Sequence, residues 1–519
     1  MRRSLSSGSS GAVLLLLLLI QTLFLLLKEA KCSSRVQFQL YQFQRKLHQQ
    51  HKTSFPAPMP PSSNTANEIS LSPKSNGRVF YPIGYGADPS GAHDSASAIY
   101  DSLLDAAKLG KGLDFSLLPG ITDLGGVTID LQGGDFKVDR PIRFPPGIGN
   151  IVVQGGTLRA SDKFPGDRHL IELWAPDSTT RKHSNTKTGD FFSNRKDWNN
   201  DGMKYEDITF RDILFDSGLR GGGLLVIDSI RIRIVDCFFL RFTTQGIMVE
   251  RGHETFVSGC FLGQHLTDGG DPDEKHYTGT GIDIASTDNA ITDVAVFSAG
   301  IGIVLRGNAN VVTGVHCYNK ANGLGGVGIL VRSAQNRITN PYLDFNSIVI
   351  EDPHQVHVSG GFFLGGGNIV LKSSITGRIS GLNIINNMFA GMNDTVPSVV
   401  LDGSFGSIDQ VVVDQNVVDG MRLISTVAKS RALPVGKNGT RWMANFSSIL
   451  LFPDKINHVE YSFFVRGGGG GRIGGGGFPH AHAVTNVSSN VVVIESQRAV
   501  SAVVSVSVDQ YNLIGEGKL

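Results

Sequence analysis

The stretch Thr280-Gly-Ile-Asp-Ile-Ala-Ser-Thr-Asp-Asn-Ala290 contains one copy of a five-residue phrase, Gly281-Ile-Asp-Ile-Ala285, that recurs along the chain. Each copy starts with a small or polar residue and has aliphatic residues at its second and fourth positions. Copies start roughly 19 to 35 residues apart, and the others begin at Gly223, Gly246, Gly302, Gly328, Ser347, Asn368 and Ser398. Short strands and polar turns repeating at this period are typical of a solenoid. Because the consensus and the helical segments of leucine-rich repeats are absent, the pattern predicts an all-β fold, a right-handed parallel β-helix.

The alternation within each phrase assigns its residues to faces, since successive side chains of a strand point in opposite directions. The second and fourth residues point into the coil, and the third and fifth point outward. The third-position column then contains Leu225, Met248, Asp283, Val304, Leu330, Val349, Val370 and Val400. The fifth-position column contains Ile227, Glu250, Ala285, Arg306, Arg332, Glu351, Lys372 and Asp402. The phrase Leu170-Ile-Glu-Leu-Trp174 adds Glu172 and Trp174 to this face, and a one-residue slip would reverse the assignment.

Composition excludes several classes of protein. The chain has 519 residues with 47 Lys and Arg against 46 Asp and Glu, so bulk charge does not favour nucleic-acid binding. It contains 64 glycines, well above the average share of about 7 %, which favours a turn-rich β protein. Four cysteines without a C-x-x-C spacing exclude a disulfide-dense scaffold and offer no zinc site.

The sequence of residues 1–31 is typical of a targeting segment. Arg2 and Arg3 precede the apolar run 12–27, and small residues follow it, so we predict a signal peptide over residues 1–31. The alternative is a signal anchor, although the run is short of the about 20 residues that span a bilayer. We predict a secreted, extracellular protein with no stable membrane association after cleavage. Four N-x-[ST] sequons fit secretion and predict glycosylation at Asn393, Asn438, Asn445 and Asn486.

The remaining chain divides by composition. Residues 32–77 are rich in Gln, Ser and Pro and predict a flexible linker or propeptide. The β-helix domain is predicted over residues 78–430. Residues 431–519 alternate as β-strands do and predict a small C-terminal β region with a Gly-rich loop at 467–477. The whole is expected to be a monomer.

Residues 81–94, Tyr-Pro-Ile-Gly-Tyr-Gly-Ala-Asp-Pro-Ser-Gly-Ala-His-Asp, precede a helical pattern that continues through Ala107. This opening resembles the start of the pectate-lyase superfamily domain, in which a glycine-rich turn leads into a capping helix. Further matching segments begin at Gly125, Pro141, Gly155 and Gly279. As a set they resemble the plant quartet-type polygalacturonases over about residues 78 to 430. The resemblance implies a pectin-lyase-like β-helix that hydrolyses the α-1,4 bonds of polygalacturonate, a pectic polysaccharide, and acts in separating pollen tetrads.

The catalytic residues of the wider polygalacturonase family do not carry over. Gly279-Thr280 stands where that family has Asn-Thr-Asp, and Gly300-Ile301 replaces its double Asp. Val327 replaces its His, and Val349-Ile-Glu351 replaces its Arg-Ile-Lys. An acid and a base would therefore lie elsewhere in this chain.

Glu250 and Asp283 are the candidate catalytic pair. They belong to adjacent coils, two residues out of step, which gives a backbone offset of about 8 Å. Inverting glycosidases separate their two carboxyl groups by roughly 6.5–9.5 Å. Asp283 has apolar Met248 and Val304 beside it in its column, so it is the predicted general acid and Glu250 the base. The alternative is that both are solvated residues of an ordinary strand.

Charged and aromatic residues of the same face are candidate substrate-binding residues. Arg306 and Arg332 would bind successive uronate carboxylates, followed along the column by Glu351 and Lys372. Alternatively, the arginines pair with neighbouring carboxylates as a surface charge ladder. Trp174 would stack on a sugar ring, or would be a core residue.

The acidic insertion 264–280 should overhang this face because it arrives just before the Asp283 strand. Asp271 or Asp273 are alternate catalytic carboxylates. The insertion would bind calcium if the protein were a pectate lyase, with Arg306 or Arg332 as base; otherwise no cofactor or metal is expected. A non-catalytic pectin-binding β-helix is the other alternative.

Cys237 and Cys260 occupy equivalent positions on neighbouring coils. This placement allows a disulfide, and two buried thiols are the equally weighted alternative.

Overall fold

The computed structural model describes residues 73–109, 126–179, 202–263, 277–318, 326–435, 439–465 and 480–511. Within these ranges 32 strands form one continuous sheet that winds around the core from Ser75–Asn76 to Val417–Asp419. Pairing is parallel throughout, apart from the short antiparallel pair Ser75–Asn76 and Val79–Phe80. The predicted right-handed parallel β-helix is confirmed.

Each full coil contributes a strand to three faces. Face 1, which holds the repeated phrase, consists of Ile142–Arg143, His169–Leu173, Gly222–Ile230, Gln245–His253, Thr280–Thr287, Ile301–Leu305, Gly326–Val331, Asn346–Glu351, Ile369–Lys372 and Val399–Asp402. Face 2 consists of Val79–Phe80, Val127–Asp130, Arg233–Val235, Phe256–Ser258, Ala290–Thr292, Val311–Thr313, Arg337–Thr339, His357–Ser359, Arg378–Ile385 and Ser407–Asp414. Face 3 consists of Asp135–Val138, Phe238–Leu240, Phe261–Gly263, Ala295–Phe297, His316–Tyr318, Tyr342–Asp344, Phe362–Leu364, Met388–Ala390 and Val417–Asp419. Two long strands, Ile148–Ala160 and Tyr205–Asp216, cross from face 2 to face 3.

Strand pairing on face 1 confirms the predicted columns. Asp283 lies opposite Met248 on one side and Val304 on the other. Glu172 lies opposite Leu225, so the early phrase belongs to the same column as predicted. The second and fourth residues are buried, as Ile282, Ile284, Ile303 and Leu305 are all 0 % exposed. Each such side chain stabilises the coil by about 1.5–3 kcal/mol relative to an exposed one.

At Gly281 and Gly302, the glycine at the first position of the phrase is required by the stacking of the coils. A Cβ atom on Gly281 would lie 2.6 Å from the carbonyl oxygen of Gly302, and one on Gly302 would lie 2.4 Å from that of Gly328. No side chain fits at such a distance, so the repeated glycine lets successive coils approach at this corner.

Buried asparagines form a ladder at the turn between face 1 and face 2. Asn310 Oδ1 accepts hydrogen bonds from the backbone N–H of Asn289 at 3.0 Å and from its Nδ2 at 2.8 Å. Asn336 Oδ1 accepts in turn from the backbone N–H of Asn310 at 3.0 Å. The polar turn residue of the repeat therefore satisfies backbone donors that the turn would otherwise bury unsatisfied.

The helix Ala96–Leu109 covers the N-terminal end of the solenoid, as predicted. The buried side of the helix includes Ile99, Leu103 and Ala106. Asp94 Oδ1 accepts the backbone N–H of Ala96 at 3.2 Å, which satisfies one of the donors that the first turn of a helix leaves without an intrahelical partner. A 3₁₀ turn, Pro82–Tyr85, packs against this helix, and a second one, Pro176–Thr179, follows the strand of Glu172.

The C-terminal region is a separate six-stranded antiparallel sheet. Its strands are Val427–Pro434, Arg441–Asn445, His458–Val465, His482–Ser488, Val491–Ser496 and Ala502–Asp509. Trp442, Phe446 and Ile494 anchor its own core. The first strand begins four residues before the predicted boundary at 431.

Several predicted segments lie outside the described residues. They are the signal peptide over 1–31, most of the linker over 32–77, and the Gly-rich loop 467–477. Among the helices that the structure describes, none is long and apolar enough to cross a bilayer.

Candidate active site

Glu250 and Asp283 lie on adjacent strands of face 1. Glu250 pairs with Ala285, two residues beyond Asp283, so the pairing reproduces the predicted offset of about 8 Å. Asp283 is 9 % exposed, and Glu250 is half-buried. The structure therefore places the two residues on one outer face, with a backbone offset that falls within the range that inverting glycosidases use between their carboxyl groups.

Arg306, from the next coil, binds the carboxylate of Asp283 through two nitrogen atoms of its guanidinium group. Its Nε donates to Oδ1 at 2.8 Å and a terminal nitrogen donates to Oδ2 at 2.9 Å. This hydrogen-bonded carboxylate raises the pKa of Arg306, and the negative charge of Glu250 acts in the same direction. The charges of Asp283 and Glu250 therefore both act on the guanidinium group of Arg306.

The bidentate contact does not suit the proton-donor role predicted for Asp283. A guanidinium fork favours the ionised carboxylate, whereas a general acid must carry a proton before the reaction. Flanking by Met248 and Val304 was the reason for that prediction, whereas the described contacts place a cation on both carboxylate oxygens. Which of the two carboxyl groups donates the proton stays a prediction.

Farther along the column, Glu351 lies between two cations. Arg332 Nε is 3.1 Å from its Oε2 and Lys372 Nζ is 3.7 Å from its Oε1. Sequence reasoning left open whether the arginines bind uronates or pair with carboxylates of the chain. In the described structure Arg306 and Arg332 are both ion-paired, and the cluster of Arg332, Glu351 and Lys372 keeps one net positive charge.

At the N-terminal end of face 1, Trp174 lines a cleft. It is therefore not a residue of the core, which was one of the two predictions for it. The guanidinium carbon of Arg143 lies 4.1 Å from the centroid of this ring. Arg143 belongs to Pro141-Ile-Arg-Phe144, which is an earlier copy of the repeated phrase and pairs with the strand of Glu172. The sequence analysis did not predict that Arg143 lines this cleft, although the copy of the repeated phrase at 141–144 was a signal that could have identified it.

Asp271 and Asp273 lie outside the described residues, as does most of the acidic insertion. Within the described ranges, no group of three or more His, Cys, Asp or Glu side chains is arranged to hold a metal ion.

The three cysteines of the described chain, Cys237, Cys260 and Cys317, are free and buried. The structure therefore contains the two thiols and not the disulfide that was the other prediction for Cys237 and Cys260. Their sulfurs are directed to backbone carbonyls, at 3.3 Å from Val235 O and 3.3 Å from Ser258 O. Burial raises the pKa of Cys317 to about 12, which makes this thiol unreactive.

Three of the four sequon asparagines, Asn393, Asn445 and Asn486, are exposed. Asn438 lies outside the described residues. The positions are sterically compatible with the predicted glycosylation, which stays a prediction.

Comparison with known proteins finds one close relative. The chain is 46 % identical to Polygalacturonase QRT3 of Arabidopsis thaliana over 442 residues, which cover 83 % of this chain and 84 % of the relative. No protein-family model matches the chain.

Solved structures are more distant. The mannuronan C-5 epimerase AlgE6 A-module of Azotobacter vinelandii aligns with 14 % identity and a TM-score of 0.42, over 66 % of this chain and 98 % of that module. An exopolygalacturonase of Thermotoga maritima aligns with 10 % identity and a TM-score of 0.40, over 67 % of this chain and 93 % of that enzyme.

Proposed function

We propose, from the premise that this chain belongs to the quartet-type polygalacturonase family, that it hydrolyses the α-1,4 bonds of polygalacturonate. The observation that carries the proposal is the pair Glu250 and Asp283 on one outer face, with Arg306 bound to Asp283. Glycoside hydrolysis needs two carboxyl groups that flank the bond, and this pair supplies them where the usual family residues are absent.

In the proposed reaction Asp283 is the base and Glu250 the acid, the reverse of the expectation from sequence. The reaction requires the protonated form of Glu250, which gives its proton to the glycosidic oxygen as the bond to the anomeric carbon breaks. A water molecule attacks that carbon from the other side and passes its proton to Asp283. Each carboxylate oxygen has two lone pairs, so Asp283 accepts this proton while Arg306 stays bound. Solvent then returns the two carboxyl groups to their starting states.

Substrate binding is assigned to the cations of the same face. The cluster of Arg332, Glu351 and Lys372 has one positive charge in excess, which suits one uronate carboxylate. We expect the pectic strand to lie along the columns, across the coils, because the outward side chains are aligned in that direction. No cofactor is proposed.

The protein is further proposed to be secreted to the plant cell wall as a monomer after removal of residues 1–31. Separation of pollen tetrads is the role suggested by the resemblance and by the family. Amino-terminal sequencing of the protein secreted from plant cells tests the processing: a mature start between Ala30 and Ser34 supports it, and an intact Met1 contradicts it.

The central test measures new reducing ends and the ultraviolet absorbance of unsaturated uronates in the same digest of polygalacturonate. Hydrolysis predicts reducing ends without absorbance, in calcium and in chelator alike. Asp283→Asn should lower the rate by about 10²–10⁴-fold, the usual contribution of an acid or base. Asp419→Asn, the same change at an exposed position of face 3, should keep the wild-type rate.

Other outcomes contradict the proposal in different ways. Absorbance that requires calcium would indicate the pectate lyase, although Arg306 and Arg332, its candidate bases, are both held by carboxylates. Binding to a pectin column without any cleavage would indicate the non-catalytic β-helix. Full activity of Asp283→Asn would place the chemistry elsewhere.

A further inference from the structure

A cleft of about 510 Å³ opens at the N-terminal end of face 1. Three arginines and three aromatic residues contribute to its lining: Arg140, Arg143, Arg168, Tyr100, Phe144 and Trp174. None of the described residues that line this cleft is acidic. A cleft with this lining would attract an anion, and the aromatic rings add a surface on which a sugar would stack.

A buried carboxylate holds two of these arginines in place. Glu172 is 1 % exposed, and Arg168 binds both of its oxygens, with Nε at 2.8 Å from Oε1. A terminal nitrogen of Arg143 lies 3.5 Å from Oε2 of the same carboxylate. One negative charge therefore positions two guanidinium groups, and with Arg140 the cleft keeps two positive charges in excess.

Each of the three arginines has five N–H donors, more than its contacts in the described chain use. The guanidinium carbon of Arg143 lies 4.1 Å from the centroid of the Trp174 ring, and its Nε is buried without a hydrogen-bond partner among the described residues. Arg140 donates to Ser97 Oγ at 2.7 Å and forms no ion pair in the described chain. Guanidinium groups held in fixed planes are suited to bidentate recognition of a carboxylate.

The cleft is in line with the candidate catalytic pair. Glu172 lies opposite Leu225, Leu225 opposite Met248, and Met248 opposite Asp283. Three steps of one coil each correspond to about 14 Å. A polysaccharide strand that passes Asp283 along the column therefore reaches this cleft after several sugars.

We propose that this cleft is a uronate subsite, in which Arg140, Arg143 and Arg168 bind the carboxylate of one sugar and Trp174 stacks on its ring. The proposal rests on the proposed function for the direction of the strand and for the choice of a uronate as the anion. It makes the protein prefer long oligogalacturonides, because short ones do not occupy the cleft and the catalytic pair together.

The experiment compares kcat/KM for a trimer and an octamer of galacturonate, using the full-length protein. The double variant Arg140→Gln/Arg143→Gln should lower the octamer-to-trimer ratio by about tenfold or more, as expected for the loss of one well-formed charged contact of about 1.5–3 kcal/mol. Arg211→Gln, the same change on face 2 where Arg211 contacts only Gln154 in the described chain, should leave the ratio unchanged. An unchanged ratio in the double variant would overturn the subsite.

Two further measurements separate this proposal from the proposed function. Arg140→Gln alone serves where loss of Arg143 prevents folding, because the described ion pairs of buried Glu172 are with Arg143 and Arg168. Titration calorimetry of Asp283→Asn with the octamer, and with its carboxyl-reduced neutral form, reads binding without catalysis. Octamer binding that depends on Arg140 and is absent for the neutral form supports the subsite even in a protein that does not hydrolyse. Equal binding of both forms rejects it, whatever the activity.

Discussion

Arg306 decides the chemistry available to Asp283 at the scale of single residues. Its two hydrogen bonds, at 2.8 and 2.9 Å, engage both carboxylate oxygens. Glu250 lies on the preceding coil, and its negative charge also raises the pKa of Arg306. Asp283 is 9 % exposed and Glu250 is half-buried, so the two carboxyl groups differ in burial, and different surroundings are the condition for one to donate a proton and the other to accept it.

Replacing Glu250 by Gln tests the donor role directly. We expect Glu250→Gln to slow polygalacturonate hydrolysis by about 10²–10⁴-fold, because the departing sugar oxygen then leaves without a proton. An aryl galacturonide with a good leaving group needs little protonation, so its hydrolysis should fall much less. Initial rates on the two substrates measure the difference.

Asp283→Asn serves as the comparison, since loss of the base should slow both substrates alike. Equal losses in Glu250→Gln on the two substrates would contradict the donor role. A selective loss in Asp283→Asn would restore the assignment made from the sequence.

At the scale of elements, the asparagine ladder stabilises the stacking of coils. Asn310 is 1 % exposed and bonds to Asn289 on one side, and its side-chain nitrogen also donates to Gly307 O at 2.7 Å. Its loss leaves buried backbone groups without partners on two turns. Such groups cost more than the hydrogen bond itself contributes.

Asn310→Ala should lower the free energy of unfolding by about 1–3 kcal/mol for each buried group left unsatisfied. Urea denaturation followed by far-ultraviolet circular dichroism measures the change. Asn383→Ala, at a half-buried outward position of face 2, is the matched control and should shift it by no more than about 0.5 kcal/mol. Equal effects of the two variants would show that the ladder does not stabilise the coils.

At the scale of the whole molecule, the solenoid places separate charge clusters on one continuous surface. The ten described strands of face 1 extend over about 43 Å at the usual strand spacing. The arginine cleft, the pair Glu250 and Asp283, and the cluster of Arg332, Glu351 and Lys372 follow one another along this length. A near-neutral chain thereby presents local positive charge to an anionic polymer.

Buried histidines make the stability of the molecule sensitive to acid. Burial lowers the pKa of His169 and of His316 to about 4 from the ordinary 6.5. Between these values the unfolded chain binds protons that the folded chain does not, so the free energy of unfolding falls as the pH drops from 6.5 to 4. Above pH 6.5 both states are neutral at these rings, and this contribution is constant.

His316→Phe isolates one of these groups, because the His316 ring already packs between the rings of Phe297 and Tyr342 on face 3. We expect the variant to lose less Tm than the wild type when the pH is lowered from 7 to 4.5. Differential scanning calorimetry at the two pH values measures both losses. An identical loss would show that His316 does not couple folding to pH.

The sequence by itself determined the coil, the faces and the columns. The period-two alternation in phrases such as Gly302-Ile-Val-Leu-Arg306 is local, and burial of one side of every strand leaves a single register. Only the tertiary structure decided how the charged residues combine. Arg306 and Asp283 are 23 residues apart in the chain, and Arg143 meets Glu172 and Trp174 from another coil. Such contacts depend on side-chain directions across neighbouring coils, which the alternation of a strand does not specify. The same limit applies to Cys237 and Cys260, whose equivalent positions allowed both a disulfide and the two buried thiols that the structure contains.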